Sequence, residues 1–529
     1  MPSDCISFQS SGYFTPLITD YLTQKENLKP LYNRFPTLEN FKQQIQEKEQ
    51  NYNSDFRKIL VNALEQQYSE FSISESTKNN IELLKRDNTY TITTGHQLNL
   101  FTGPLYFLYK IVSTINLSRQ LKQEYPDYNF VPVYWMATED HDFEEINYFN
   151  FKDKKISWNR ESTGPVGRLS TKGLEAILDV FKKELGPGDN AKWLKELFRE
   201  AYIDHGNLAD ATRYLANKIF GESGLVIIDG DDSNLKKLFV PHIKEELLNQ
   251  TSHAKVAETA EKLKDYNIQV NPREINLFYI EDNIRERIIL QDGAYYVNNT
   301  EIKFSEAEIL ALLESNPEKF SPNVIMRPLY QEVILPNLCY IGGGGELAYW
   351  LELKSYFEAA NITFPILLLR NSVLLATQKQ ADKLDKLNLT WADVFMKQQD
   401  LLTKKTQEFS SFTLSFEQQK EHLKKQFKAL YDIAEKTDAS FIGAVKAQEI
   451  KQIKGLENLE KRLLKAEKRS HTEKLERITQ LQNELFPGQS LQERRANFAQ
   501  FYLDYDGQLL EKLFTQLKPL EHDFNIVVL

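Results

Sequence analysis

Between residues 90 and 375, short apolar runs alternate with stretches of helical periodicity, and no other feature of the chain narrows its fold as far. The runs are Thr89-Tyr90-Thr91-Ile92-Thr93-Thr94, Phe130-Val131-Pro132-Val133-Tyr134-Trp135-Met136-Ala137, Gly224-Leu225-Val226-Ile227-Ile228-Asp229 and Phe364-Pro365-Ile366-Leu367-Leu368-Leu369-Arg370. Strands this apolar, with few polar positions between, are covered on both faces, which calls for helices above and below a parallel sheet. The expectation is a doubly wound α/β core. Residues 269–297 depart from it: Leu277-Phe278-Tyr279-Ile280, Arg287-Ile288-Ile289-Leu290 and Ala294-Tyr295-Tyr296-Val297 lie close together, the last two separated by Asp292-Gly293, as in an inserted antiparallel subdomain.

The first ninety residues mix aromatic loops with polar helices and read as a wrap around the core rather than part of it. After about residue 376 Gly and Pro nearly vanish, and Lys, Glu, Gln and Leu dominate as far as Phe486-Pro487-Gly488, which is the composition of long helices. Phe416, Leu423, Phe427, Leu430 and Ala434 form one apolar seam. Leu456, Leu459, Leu463 and Ala466 form a second, and Leu475, Ile478, Leu481 and Leu485 a third, with Thr437-Asp438-Ala439-Ser440 placed to end one helix and cap the next. An antiparallel coiled-coil arm is expected. A two-helix arm covers its own seam poorly, so a homodimer through the arm is expected, the alternative being a hairpin folded back on the core. The boundaries are 1–378 for the core with its wrap and insertions, 379–488 for the arm, and 489–529 for a segment returning to the core.

Partners are bounded by charge and cysteine usage. A formal net charge of -10 disfavours non-specific binding to nucleic acid or anionic membrane. Only two cysteines, Cys5 and Cys339, are present, too few for a disulfide framework or a structural zinc site, so a reducing, cytoplasmic setting is expected. Neither a secretory leader nor an apolar stretch of membrane-spanning length is recognisable.

Candidate site residues collect where strands end. Thr94-Gly95-His96-Gln97, with Asn99, Thr102 and Gly103 beyond, lies between the first strand and a helix starting near Tyr106. Glycine there admits close backbone approach to a ligand, the helix start favours an anion, and His96 adds a switchable proton; a tight turn with a packed histidine is the alternative. Trp135 leads into Glu139-Asp140-His141-Asp142-Phe143-Glu144-Glu145, at the strand edge where open sheets bind ligands. That run could hold an ammonium group, act as general base or bind a divalent cation, or be a solvated loop in which Asp142 caps a helix. Gly342-Gly343-Gly344-Gly345-Glu346 opens an apolar helix containing Tyr349 and reads as an anion-binding turn or, failing that, a flexible linker. Arg370 and Ser372 end the last strand as a fork donor and a hydroxyl, and Arg327 offers a similar cation.

Taken together, Thr94-Gly95-His96-Gln97, Phe101-Thr102-Gly103-Pro104-Leu105-Tyr106, Trp135 with Glu139-Asp140-His141-Asp142, residues 342–350 and Arg370-Asn371-Ser372 resemble the bacillithiol biosynthesis family BshC over essentially the whole chain. The resemblance implies a Rossmann-like, nucleotidyltransferase-type parallel-sheet core and a coiled coil that makes a homodimer. It implies a ligase that forms a carbon–nitrogen bond by adding L-cysteine to glucosaminyl malate, and a nucleotide, ATP or ADP, as a further ligand. Gly95-His96 looks like the second half of the H-x-G-H signature of that superfamily, with Thr93 where the first histidine would stand. On this reading His96, Asp140, His141 and Asp142 are catalytic. Thr94, Gly95, Gln97, Asn99, Thr102, Gly103, Trp135, Glu139, Gly343, Gly344, Gly345, Glu346, Tyr349, Arg370 and Ser372 bind substrate or nucleotide. No protein residue is assigned to a metal. Two other classes stay open: a metal-dependent hydrolase of small conjugates using residues 139–145, and a non-catalytic assembly protein recruiting partners through its arm.

Overall fold

The computed structural model describes residues 4–529 and divides into two compact units. One runs to Leu375 and resumes at Leu491–Leu529; the other is Ala376–Ser490. Five parallel strands centre the first: β1 (Thr89–His96), β2 (Asn129–Met136), β3 (Val226–Asp229), β4 (Asn337–Gly342) and β5 (Ile366–Leu369). Their order across the sheet is β3-β2-β1-β4-β5, with Thr93 opposite Val133 on one side and Tyr340 on the other. The doubly wound core expected from the apolar runs is therefore present, and β4, which those runs did not include, supplies its fourth strand. Pro132 is tolerated in β2 because it lies one residue before pairing to β3 begins at Val133, where that side is still a free edge.

Four helices matter to the site: α1 (Tyr106–Glu124), α2 (Ser233–Asn249), α3 (Met326–Ile334) and α4 (Gly344–Leu351). From β1 the chain winds outward to β2 and β3, then crosses back to β4 and continues to β5. The reversal between β1 and β4 leaves a crevice beyond their carboxyl ends, since helices on either side depart in opposite directions.

The amino-terminal segment is more than a wrap. Phe41 and Ile45, one turn apart on the helix Leu38–Asn51, are buried in one cluster with Ile92, Ile341 and Leu368 of the sheet. Full burial of a side chain of this kind contributes about 1.5–3 kcal/mol. The same helix turns Gln44 inward to the Phe364 carbonyl (2.9 Å) and Lys48 to Glu332 (3.4 Å), so its polar look concealed a core face.

An antiparallel sheet runs Lys303–Phe304, Ala294–Val297, Ile284–Gln291, Leu277–Glu281 and Phe320–Pro322 in spatial order. Asp292 and Gly293 both take positive φ (51° and 75°) between Gln291 and Ala294, the two-residue turn that a tight hairpin requires. In a third sheet Asp4–Ser7 pairs antiparallel with Asp523–Val528.

The second unit is helical. Here α5 (Gln398–Phe409), α6 (Glu417–Ala434), α7 (Ala439–Ser470) and α8 (Thr472–Leu485) follow one another, and α6 and α7 form an antiparallel hairpin around Phe427, Ala434 and Val445. Asp438 caps α7, its side chain accepting from the Ser440 amide. Leu475, Ile478, Leu481 and Leu485 are all buried, whereas Leu430 and Leu459 of the other two seams are exposed. Among the described residues no helix is long and apolar enough to cross a membrane.

Candidate functional site

At the crevice, β1 delivers Gly95 and His96 from one side and β4 delivers Tyr340 from the other. Together with Gln97, Tyr106, Lys110, Trp135, Arg327, Glu346 and Tyr349 they line a cavity of about 270 Å³. Glycine at 95 eases the close approach, since a β-carbon there would crowd the Tyr340 hydroxyl at 3.1 Å. The His96 ring lies against Tyr106 and Phe107, centroids 5.4 and 5.0 Å away, and its Nε2 is buried without a hydrogen-bond partner. Burial, reinforced by the charges of Lys110 and Arg370, holds the imidazole well below its usual pKa, so it is neutral.

Lys110 escaped the sequence reading. It sits one helical turn beyond Tyr106 in α1, a solitary cation among buried apolar side chains, and that isolation was the signal. Its Nζ donates to the Gly95 carbonyl at 2.7 Å and to Glu346 Oε1 at 2.5 Å. Glu346 occupies the third position of α4, and its other oxygen accepts from the Tyr340 hydroxyl at 2.9 Å. Its carboxylate folds back over the turn, so a β-carbon at Gly342 would lie 3.0 Å from it. The acidic group at the glycine turn is thus the chain's own. Gly343, Gly344 and Gly345 do not line the cavity, and a side chain at 344 would instead meet Ile18.

A second cavity of about 460 Å³ opens beside the first, and the two share Trp135, Ala137 and Arg327. Its wall carries Arg273, Arg285, Arg287 and Arg327 together with Glu139 and Asp140. Three of these arginines come from the antiparallel insertion and the strap before it, where nothing in the local sequence marked them as ligand groups. Arg285 lies over the Phe278 ring at 4.1 Å and is oriented by the Ser321 hydroxyl and the Pro322 carbonyl. Arg327 reaches Gln331 and the Tyr349 hydroxyl (3.1 and 3.3 Å) from α3.

The acidic run after β2 is divided. Glu139 pairs with Lys236 of α2 at 2.6 Å, and Lys236 also holds Asp231, which Arg168 grips with two nitrogens at 2.8 and 3.0 Å. Behind them Asp229 accepts from Thr138; burial, then Asp231, pushes its carboxyl up to about 6. Asp140 accepts from Gln97 at 2.8 Å. His141 turns outward to Arg285 and the Phe278 ring, and the exposed Asp142 lines neither cavity. Among the described residues no three His, Cys, Asp or Glu side chains converge as a metal cluster.

Other expected ligand groups are structural. Thr94 donates to the Ile341 carbonyl, tying β1 to β4. Asn99 donates to the Glu145 carbonyl, Thr102 is buried at φ 68°, and a β-carbon at Gly103 (φ 61°) would collide with Asn99 at 2.6 Å, so this trio shapes the loop. Both terminal nitrogens of Arg370 are bound by Glu493 (2.7 and 3.1 Å), which also accepts from Ser372. With all three buried, Arg370 and Ser372 have no donor fork to offer a ligand.

Sequence comparison gives this crevice a family context. Residues 1–371 match the model of the bacillithiol biosynthesis BshC N-terminal Rossmann-like domain, and residues 373–529 that of the C-terminal coiled-coil domain. A Flavobacterium johnsoniae protein named "Putative cysteine ligase BshC" is 65% identical over 529 residues, covering all of both chains. Proteins of the same name from Cytophaga hutchinsonii (39% over 523 residues, 98% of this chain and 97% of the relative) and Bacillus cereus (29% over 540 residues, 94% and 96%) extend the match. With residues 1–371 and 373–529 matching the two domain models and the parallel-sheet core and helical arm in place, the chain belongs to the bacillithiol biosynthesis BshC family.

Proposed function

We propose that the chain is a ligase that joins the carboxyl group of L-cysteine to the amino group of glucosaminyl malate, giving the thiol bacillithiol. The observation that carries this reading is the meeting of two unlike cavities at Trp135, Ala137 and Arg327, over the switch point of the sheet. A condensing enzyme has to bring two substrates to one point from separate sites. The larger cavity, lined by four arginines together with Asp140 and a Glu139 already paired with Lys236, complements a substrate with two carboxylates and one amine.

A free carboxylate is a poor electrophile, so the reaction needs a phosphate-bearing donor, and a nucleotide is the first candidate. A cysteine carboxylate oxygen attacks the donor's phosphorus, the donor P–O bond breaks with departure of a nucleoside diphosphate (phosphoryl transfer) or pyrophosphate (nucleotidyl transfer), and a mixed anhydride forms. The amine nitrogen then attacks its carbonyl carbon, the C–N bond forms, the C–O bond to the phosphate leaving group breaks, and the amine proton passes to a base. Asp140, held by Gln97 in the wall of the larger cavity, is the proposed base, and Arg327 at the junction stabilises the negative charge that develops. The exposed apolar side chains of the arm, Leu430, Ile433, Phe441 and Ile442 among them, support a homodimer through that unit.

The test is purified protein with cysteine, glucosaminyl malate and a panel of phosphate donors, with product detected by mass. Bacillithiol formed with one donor and not without it supports the ligase. Turnover of a conjugate to smaller products, or none with any donor, overturns it.

A further inference from the structure

We infer that the smaller cavity is the amino-acid subsite and that Glu346 receives the α-ammonium group of that substrate. This assignment rests on the ligase reading above and says which end of which substrate each wall holds.

Glu346 is held on both oxygens yet not consumed. Lys110 takes Oε1 and the Tyr340 hydroxyl takes Oε2, one donor each, while a carboxylate has room for about four. The side chain keeps 27% of its surface exposed, toward the cavity it lines. Lys110 is only 2% exposed and already donates to two protein acceptors, so it fixes the carboxylate rather than offering its own charge to a ligand. An anionic ligand group beside Glu346 would meet like charge; a cation would meet a preset acceptor.

The remaining wall suits the same cation. Tyr106, Trp135, Tyr340 and Tyr349 line the space; Tyr106 and Tyr340 already carry Lys110, Arg370 and Arg327 over their rings, which leaves Trp135 and Tyr349 as aromatic surface for an ammonium group. His96 Nε2, buried and unpartnered in that wall, is a further polar atom awaiting a ligand. The volume, about 270 Å³, falls below the roughly 300–1,000 Å³ of pockets for drug-sized ligands and fits a small metabolite.

The chemistry sets the orientation. In the condensation the α-amino group of the amino acid does not react, whereas its carboxyl must reach the second substrate. Glu346 lines only the smaller cavity and Arg327 lines both. An amino acid with its ammonium on Glu346 therefore turns its carboxylate toward Arg327 and the junction, and the reverse orientation sets charge against charge at both ends.

The test compares cysteine with 3-mercaptopropionate, its analogue without the amino group, in wild type and in Glu346→Gln, which keeps shape and hydrogen bonding but removes the charge. Wild type is expected to prefer cysteine strongly. In Glu346→Gln the KM for cysteine rises at least about tenfold, the KM for glucosaminyl malate stays within about twofold, and the preference over the analogue collapses. Glu346→Asp, which keeps the charge, retains the preference with weaker binding. Calorimetry of cysteine binding to each folded variant gives a readout independent of turnover. Undiminished discrimination in Glu346→Gln, or a rise in the glucosaminyl malate KM alone, overturns the assignment while leaving the ligase intact. A wild type that neither binds cysteine nor forms product overturns the ligase reading as well.

Discussion

A guanidinium group draws an anionic ligand only if its charge is not already paired, and Arg370, although its Nε has no partner, fails that condition. Glu493 takes both terminal nitrogens in a buried pair that also secures the Val373 amide at 3.1 Å. Arg370→Met is therefore expected to lower stability by about 3–5 kcal/mol, because it strands a buried carboxylate. Adding Glu493→Gln, which removes the charge but keeps an acceptor for the Val373 amide, recovers most of the loss, as chemical denaturation of the single and double variants would register. A single variant of native stability that had lost substrate binding would restore Arg370 to the site. His96 gives a second prediction, in pH. Burial holds its native pKa well below the ordinary 6.5, so on acidification the unfolded chain takes up a proton that the native chain refuses. The stabilising contribution is complete above about pH 6.5 and is lost as pH falls below it, at up to about 1.4 kcal/mol per pH unit. Denaturation midpoints of wild type and His96→Gln at pH 7.5 and 5.5 should converge toward the acid side; a constant gap would show that His96 titrates normally in the fold.

At the scale of elements, what the sequence disclosed and what it hid separate by distance along the chain. Residues 89–106 read correctly as strand, glycine turn and helix because periodicity and turn chemistry are local, and the Asp292-Gly293 hairpin was legible for the same reason. The fate of a polar side chain depends on partners far away. Arg370 finds Glu493 in the returning segment, Arg285 enters the cleft on a strand of the insertion, and the Leu38–Asn51 helix buries Gln44 and Lys48 against groups near the far end of the core. The arm poses the same question in its seams. Phe427, Ala434 and Val445 close the α6–α7 hairpin, while Leu430, Ile433 and Phe441 remain 43%, 55% and 46% exposed. Changing all three to Ser costs the hairpin little, since exposed substitutions shift stability by about 0.5 kcal/mol or less each. Sedimentation at micromolar concentration is expected to give a dimer for wild type and a helical monomer for the triple variant. A monomeric wild type, or an undisturbed dimer in the variant, would remove the arm from assembly.

Across the whole first unit, the order β3-β2-β1-β4-β5 brings into one crevice groups that the chain separates by more than two hundred residues: Gly95 and His96 at the end of β1, Asp140 after β2, Arg285 from the insertion, Arg327 from α3 and Glu346 after β4. If the crevice is two subsites joined at one point, its energetics should divide the same way. Arg285 lines only the larger cavity and Glu346 only the smaller, and they share no hydrogen-bond partner. Arg285→Met should raise the KM for glucosaminyl malate about tenfold or more and leave that for cysteine near its native value. Combined with Glu346→Gln, the losses in kcat/KM should multiply, their free energies adding within about 0.5 kcal/mol. Arg327 touches both cavities, so Arg327→Met should depress kcat/KM for both substrates, and its combination with either neighbour should cost less than the product of the two separate losses. Steady-state kinetics of the three single and three double variants would decide it. Strong coupling between Arg285 and Glu346 would mean one undivided pocket, and independence of Arg327 from both would move the joining point elsewhere in the crevice.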